Sequence, residues 1–305
     1  MVAMELAARA LVTAVLVPLA IATAVPAAGP RGDWDDAVDV QERFRTYHVH
    51  VPSSYDPAHA LPVVLAFHGR GGTGKGMVEL TGLSRLADTW GFIVVYPDGV
   101  DGAWNDGRAR QMGTPARLDD VAFVRALLSE LRGRLAIDET RLYATGMSNG
   151  AFFLQRLAGA LDGEIAAIAP VAGLLTPDIP LPASLPRPVS VLLIIGTADR
   201  LVPPRGGRLA SGGRGLSTKQ TVDVWRSLNG CPSTSRTEQT RNVKKQTWGP
   251  CRDSTEVALY VVEGGGHTWP GGAELPPAFF GPTGRELDAS AAIVEFFDRH
   301  PRRAR

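Results

Sequence analysis

Short runs of consecutive apolar residues recur along this chain, separated by amphipathic stretches. The runs cover residues 62–67, 92–96, 141–145, 165–170, 189–195 and 257–262. Hydrophobicity that is continuous rather than alternating predicts strands buried on both faces. Between them, helical periodicity predicts helices over 76–89, 119–135, 150–161, 218–228 and 288–299. Strand–helix alternation of this kind implies an α/β fold, a mostly parallel sheet with helices on both sides. Residues 47–51 alternate instead, which predicts an antiparallel strand at the sheet edge. No Pro/Ser-rich linker divides the chain. The Gly-rich stretch 206–215 reads as a mobile loop, and the tail 301–305 is expected to fray.

Composition narrows the class. Of 305 residues 44% are hydrophobic, and 32 Lys plus Arg against 31 Asp plus Glu leave a formal net charge of +1. A nucleic-acid binder would show a basic excess, so no nucleic-acid partner is expected. The six His are scattered without a ligand-like spacing, so no metal site is predicted. At the start, an apolar run from Leu11 to Val25 leads into Ala27, Ala28 and Gly29. That is the pattern of a secretory leader over 1–28, with an uncleaved anchor as the alternative. One domain over 29–305 follows, secreted and without stable membrane association. Export makes a Cys231–Cys251 disulfide plausible, closing a loop of roughly 20 residues worth about 3 kcal/mol. The other reading is two free buried thiols.

The chemistry centres on Gly146-Met147-Ser148-Asn149-Gly150, which follows one predicted strand and opens a helix. A nucleophile elbow needs a turn too tight for bulky neighbours, and it lifts the serine hydroxyl above the sheet. Serine then needs a base, and the base an orienting carboxylate. Downstream of Ser148 lie only His267 and His300, and His300 sits at the tail. His267 follows the strand at 257–262 across a Gly-rich turn, and Asp199 stands just past the strand at 189–195. Catalytic groups collect at such strand ends in open α/β sheets. Asp178 and Asp223 compete for the acid role from a Pro-rich loop and a helix. An oxyanion hole should use the backbone N–H groups of Asn149 and, from the turn after residue 67, Arg70. His68 suits a structural imidazole holding that turn. Gly69 to Gly76 also matches a phosphate-binding loop, but Gly76 stands where that motif needs Ser or Thr. Asp119 and Asp120 read as a helix N-cap.

These residues resemble the secreted esterases of polyhydroxybutyrate-depolymerase type, related to the feruloyl and acetylxylan esterases of carbohydrate-esterase family 1. The resemblance runs from Phe44 to the C-terminal helix. It rests on His68-Gly69, Tyr96-Pro97-Asp98-Gly99 with Trp104-Asn105, Asp119 to Phe123, the serine pentapeptide, and Gly196 to Asp199. Trp225 to Cys231, Cys251 and Gly265 to Gly271 complete it. It implies an α/β-hydrolase fold, a triad of Ser148, Asp199 and His267, no cofactor, and Trp269 and Trp104 flanking the substrate pocket. Depolymerases of this type that digest solid polyester resemble a catalytic domain joined to a linker and a binding domain. This sequence shows neither, which favours soluble esters. The expected substrates are short-chain, acetyl or hydroxycinnamoyl esters, free or linked to plant polysaccharide, with 3-hydroxyalkanoate oligomers as the alternative. A catalytically idle exported binding protein on the same fold is the alternative of another class.

Overall fold

A computed structural model describes residues 31–108, 118–161 and 163–303. The leader at 1–28 lies outside the described residues. Among the described residues there are twelve strands and seven helices. In order they are β1 (Gly32–Asp39), β2 (Phe44–Val51), β3 (Leu61–Phe67), α1 (Gly74–Thr81), α2 (Leu83–Trp90), β4 (Ile93–Pro97) and α3 (Asp120–Arg134). There follow β5 (Ile137–Met147), α4 (Asn149–Ala160), β6 (Ala167–Val171), β7 (Ser190–Gly196), β8 (Gly207–Arg208), β9 (Arg214–Gly215) and α5 (Thr218–Asn229). The last are β10 (Arg236–Gln239), β11 (Val243–Trp248), β12 (Val257–Val262), α6 (Pro277–Phe280) and α7 (Ala289–Asp298).

Ten strands form one sheet in the order β1-β2-β4-β3-β5-β6-β7-β12-β11-β10. The six from β4 to β12 are mutually parallel, and the pairs at either end are antiparallel. All six predicted buried strands are present. Their side chains divide between two cores by the two-residue period of a strand. Val63, Leu65 and Phe67 face α3, α4 and α5, whereas Val64 and Ala66 face α1, α2 and α7.

Four expectations need correction. The strand over 47–51 is antiparallel, but β1 pairs along its whole length and takes the edge. The helix over 76–89 is two helices, because Gly82 adopts φ +62 and ends the first. The stretch 206–215 carries the small β8–β9 hairpin, closed over buried Leu209, rather than a structureless loop. The tail docks at least to residue 303: the Arg302 N–H donates to the Thr140 carbonyl at 2.7 Å. Residues 304–305 lie outside the described residues.

Candidate active site

Ser148 immediately follows β5 and immediately precedes α4. Its backbone is at φ +54, ψ −117, a costly conformation for a side-chain-bearing residue. Crowding on both sides explains the flanking glycines. A Cβ on Gly150 would lie 2.3 Å from the Phe67 carbonyl oxygen, and one on Gly146 would lie 2.8 Å from the same atom. Thus β3 passes so close beneath the turn that only glycine fits on either side of the serine.

Asp199 lies three residues beyond β7, and His267 five beyond β12. These strands are neighbours, so both side chains emerge at the same end of the sheet as Ser148. His267 Nδ1 stands 2.8 Å from Asp199 Oδ2, and both residues are buried. The other oxygen, Oδ1, accepts from the backbone N–H groups of Leu201 and Val202 at 2.9 and 2.8 Å. With the carboxylate ionised, Nδ1 carries the proton and Nε2 keeps its lone pair. The backbone N–H of His267 donates to the Phe280 carbonyl, and the Phe280 ring stacks alongside the imidazole. Ser148 and His267 line one cavity of about 520 Å³, with Arg70 and the Gly-rich turn on one wall and Met77, Leu80, Leu201 and Phe280 around it.

The backbone N–H groups of Arg70 and Asn149 have no acceptor among the described residues. The Arg70 turn is braced by His68, whose Nε2 accepts from the Gly99 N–H at 2.9 Å. Nδ1 therefore carries the proton and donates to the Gly69 carbonyl at 2.7 Å. Burial pushes the His68 imidazole below its ordinary value, against weaker upward pulls from the Gly69 carbonyl, Asp98 and Asp120. His68 is a neutral strut.

No family model matches the chain. Among curated proteins, "Putative esterase NocK" of Nocardia uniformis subsp. tsuyamanensis is 32% identical over 281 residues, spanning 85% of this chain and 80% of that protein. Feruloyl esterase B of Piromyces equi is 29% identical over 233 residues, which are 72% of this chain but 42% of the longer relative. The chain belongs to the esterase family of feruloyl-esterase and polyhydroxybutyrate-depolymerase type. Among solved structures, acetyl xylan esterase from Aspergillus awamori aligns at TM-score 0.59 with 17% identity, covering 83% of this chain and 94% of that one. That likeness is of the α/β-hydrolase fold.

The remaining expected residues of this esterase fall in different places. Trp104 and Trp269 are fully buried and do not line the cavity, which corrects their expected role at the substrate. Trp104 packs between Phe67 and Phe153 behind the Arg70 turn, and its Nε1 donates to the His68 carbonyl at 3.0 Å. Trp269 Nε1 donates to Ser290 Oγ at 2.9 Å, and Ser290 Oγ donates to the Thr81 carbonyl at 2.7 Å, tying the His267 loop to α7 and α1. Cys231 and Cys251 form a disulfide. Asp223 is on the outer face of α5, paired with Lys219 and Arg226, and Asp178 is exposed.

Sequence reasoning missed two buried carboxylates that hold the site from behind. Asp119 caps α3 as expected, but Asp120 pairs with Arg45 at 2.6 Å and accepts from the Asn105 N–H. Asp106 binds Arg108 and the side chain of Asn149, whose Oδ1 also accepts from the Trp104 N–H. Asn149 is thereby clamped through its side chain. The signal was present in a polar residue between Ser148 and Gly150.

Proposed function

We propose that Ser148, His267 and Asp199 act as nucleophile, base and orienting acid of an acyl-enzyme mechanism. Ser148 Oγ attacks the ester carbonyl carbon while His267 Nε2 takes its proton. The tetrahedral oxyanion accepts hydrogen bonds from the N–H groups of Arg70 and Asn149. Collapse breaks the bond to the alkoxy oxygen, which leaves as the alcohol with the proton from His267. Water, deprotonated by the same imidazole, then attacks the acyl-serine, and Ser148 recovers the proton. One observation carries the reading: the strained elbow serine and a buried histidine paired with Asp199 line the same cavity.

The substrate is a short-chain, acetyl or hydroxycinnamoyl ester, free or attached to plant polysaccharide, with short 3-hydroxyalkanoate oligomers as the second candidate. The apolar collar of Met77, Leu80 and Phe280 supports an acyl group of modest size. We read the protein as exported by the segment 1–28 and the catalytic unit as one domain over 29–305. The Cys231–Cys251 bridge supports an oxidising destination.

The deciding experiment compares wild type with Ser148→Ala on p-nitrophenyl butyrate, methyl ferulate and a 3-hydroxybutyrate trimer. Loss of about a thousandfold or more in rate is expected in the variant. Equal rates in both proteins would discard the triad, and the ester that wild type prefers names the substrate branch.

A further inference from the structure

Arg70 contributes more than a backbone N–H to the cavity wall. Its guanidinium is charged at any pH a folded protein meets. Nε and Nη2 are buried and have no hydrogen-bond partner. The charges that act on it are those of Arg108 and Asp106. Asp106 is already saturated: Oδ1 accepts from the backbone N–H and Nε of Arg108 at 3.1 and 3.0 Å. Oδ2 accepts from Arg108 Nε and Nη2 at 3.0 and 2.6 Å and from Asn149 Nδ2 at 2.9 Å. A carboxylate offers about four lone-pair positions, so none is left for Arg70. Nη1 of Arg108 donates to Ser211, itself on the cavity wall. The intervening sequence 109–117 contains Arg110 and Arg117 but no Asp or Glu. Two guanidiniums therefore share the field of one carboxylate, and Arg70, which lines the cavity, has no hydrogen-bonded counter-charge among the described residues.

A partly desolvated cation without a hydrogen-bonded partner is costly to hold. Burial, then the charge of Arg108, pushes the Arg70 guanidinium below its ordinary value, with Asp106 pulling weakly back. Its position gives that cost a use. Gly69, one residue earlier, packs on the nucleophile: a Cβ there would lie 3.5 Å from Ser148 Cβ. We propose that the Arg70 side chain is an anion subsite, and that the preferred esters carry a free carboxylate that pairs with it while the scissile carbonyl sits over Ser148. The inference rests on the Ser148 reading of the site. One residue would then hold the carbonyl oxygen through its backbone and the carboxylate through its side chain, so the two groups must be few bonds apart. Monoesters of short dicarboxylic acids and esters of short hydroxy acids meet that condition.

Two matched pairs test the subsite by kcat/KM. Monoethyl against diethyl glutarate places the carboxylate on the acyl side, and 3-hydroxybutyrate dimer against its methyl ester places it on the alcohol side. Wild type should favour the charged member of one pair by about tenfold or more, the scale of one charge-assisted hydrogen bond. Arg70→Met should lower that charged-to-neutral ratio by a similar factor, and Arg70→Lys should restore part of it. The ratio cancels any general damage to the turn. No preference in either pair, or a preference that survives Arg70→Met, overturns the proposal. Calorimetry on Ser148→Ala separates it from the triad: the charged ester should bind, and binding should vanish in the Ser148→Ala/Arg70→Met double variant. If wild type hydrolyses no ester, the triad assignment fails, while this binding still decides the subsite.

Discussion

Ser148 and His68 show how single side chains in this site are held by what surrounds them. The serine keeps its unfavourable backbone angles because β3 and the two flanking glycines leave no alternative path. His68 holds the facing turn through two hydrogen bonds that only the neutral ring can make, since one nitrogen must accept from Gly99. Its depressed folded-state value has a consequence for stability. The unfolded chain takes up a proton near the ordinary value of 6.5, before the folded protein does. The stabilisation is therefore complete above that value and is lost as pH falls towards the lower folded value. His300, half-buried against Phe296 and also pushed down by desolvation, contributes in the same direction. The melting temperature should fall from pH 7 to pH 5, and less steeply in His68→Gln than in wild type. Identical slopes in a thermal-denaturation series would show that His68 is not one of the groups responsible.

At the level of elements, what could be read in advance follows from burial. The six central strands are covered on both faces, so each appears as an unbroken apolar run. β1 and β10 are not: β1 carries four Asp among eight residues, and β10 is exposed throughout. Their conformation comes from pairing with a neighbour, which leaves no mark on a single segment. The three residues proposed as the triad could be picked out for a related reason, because each stands just past a recognisable strand. The two tryptophans were misplaced since a motif shows that a residue matters without showing which way it faces. Arg70 was read only for its backbone, although a charged residue inside a glycine-rich turn was itself a signal. The disulfide acts at this level too, tying the end of α5 to the turn between β11 and β12, the strand that leads to His267. Replacing both cysteines by serine should cost about 3 kcal/mol, the loop-closure value for roughly 20 residues. Urea denaturation reads this directly, and an unchanged midpoint would contradict it.

Across the whole molecule, the groups proposed to react come from widely separated parts of the chain. Asp199 and His267 are 68 residues apart, and the contact of Ser290 with Thr81 spans 209. The relay from Trp269 through Ser290 to Thr81 means that the loop bearing His267 is clasped between the last helix and one of the first. A chain leaving a ribosome or a translocation pore can complete its sheet nearly to the end and still lack that clasp. Catalytic competence should thus be the last property to appear: on dilution from denaturant, esterase activity should return later than the far-ultraviolet helical signal, and Ser290→Ala should widen the interval. As the exported hydrolase we propose, the protein would stay harmless to the cell's own esters during its passage, by timing alone.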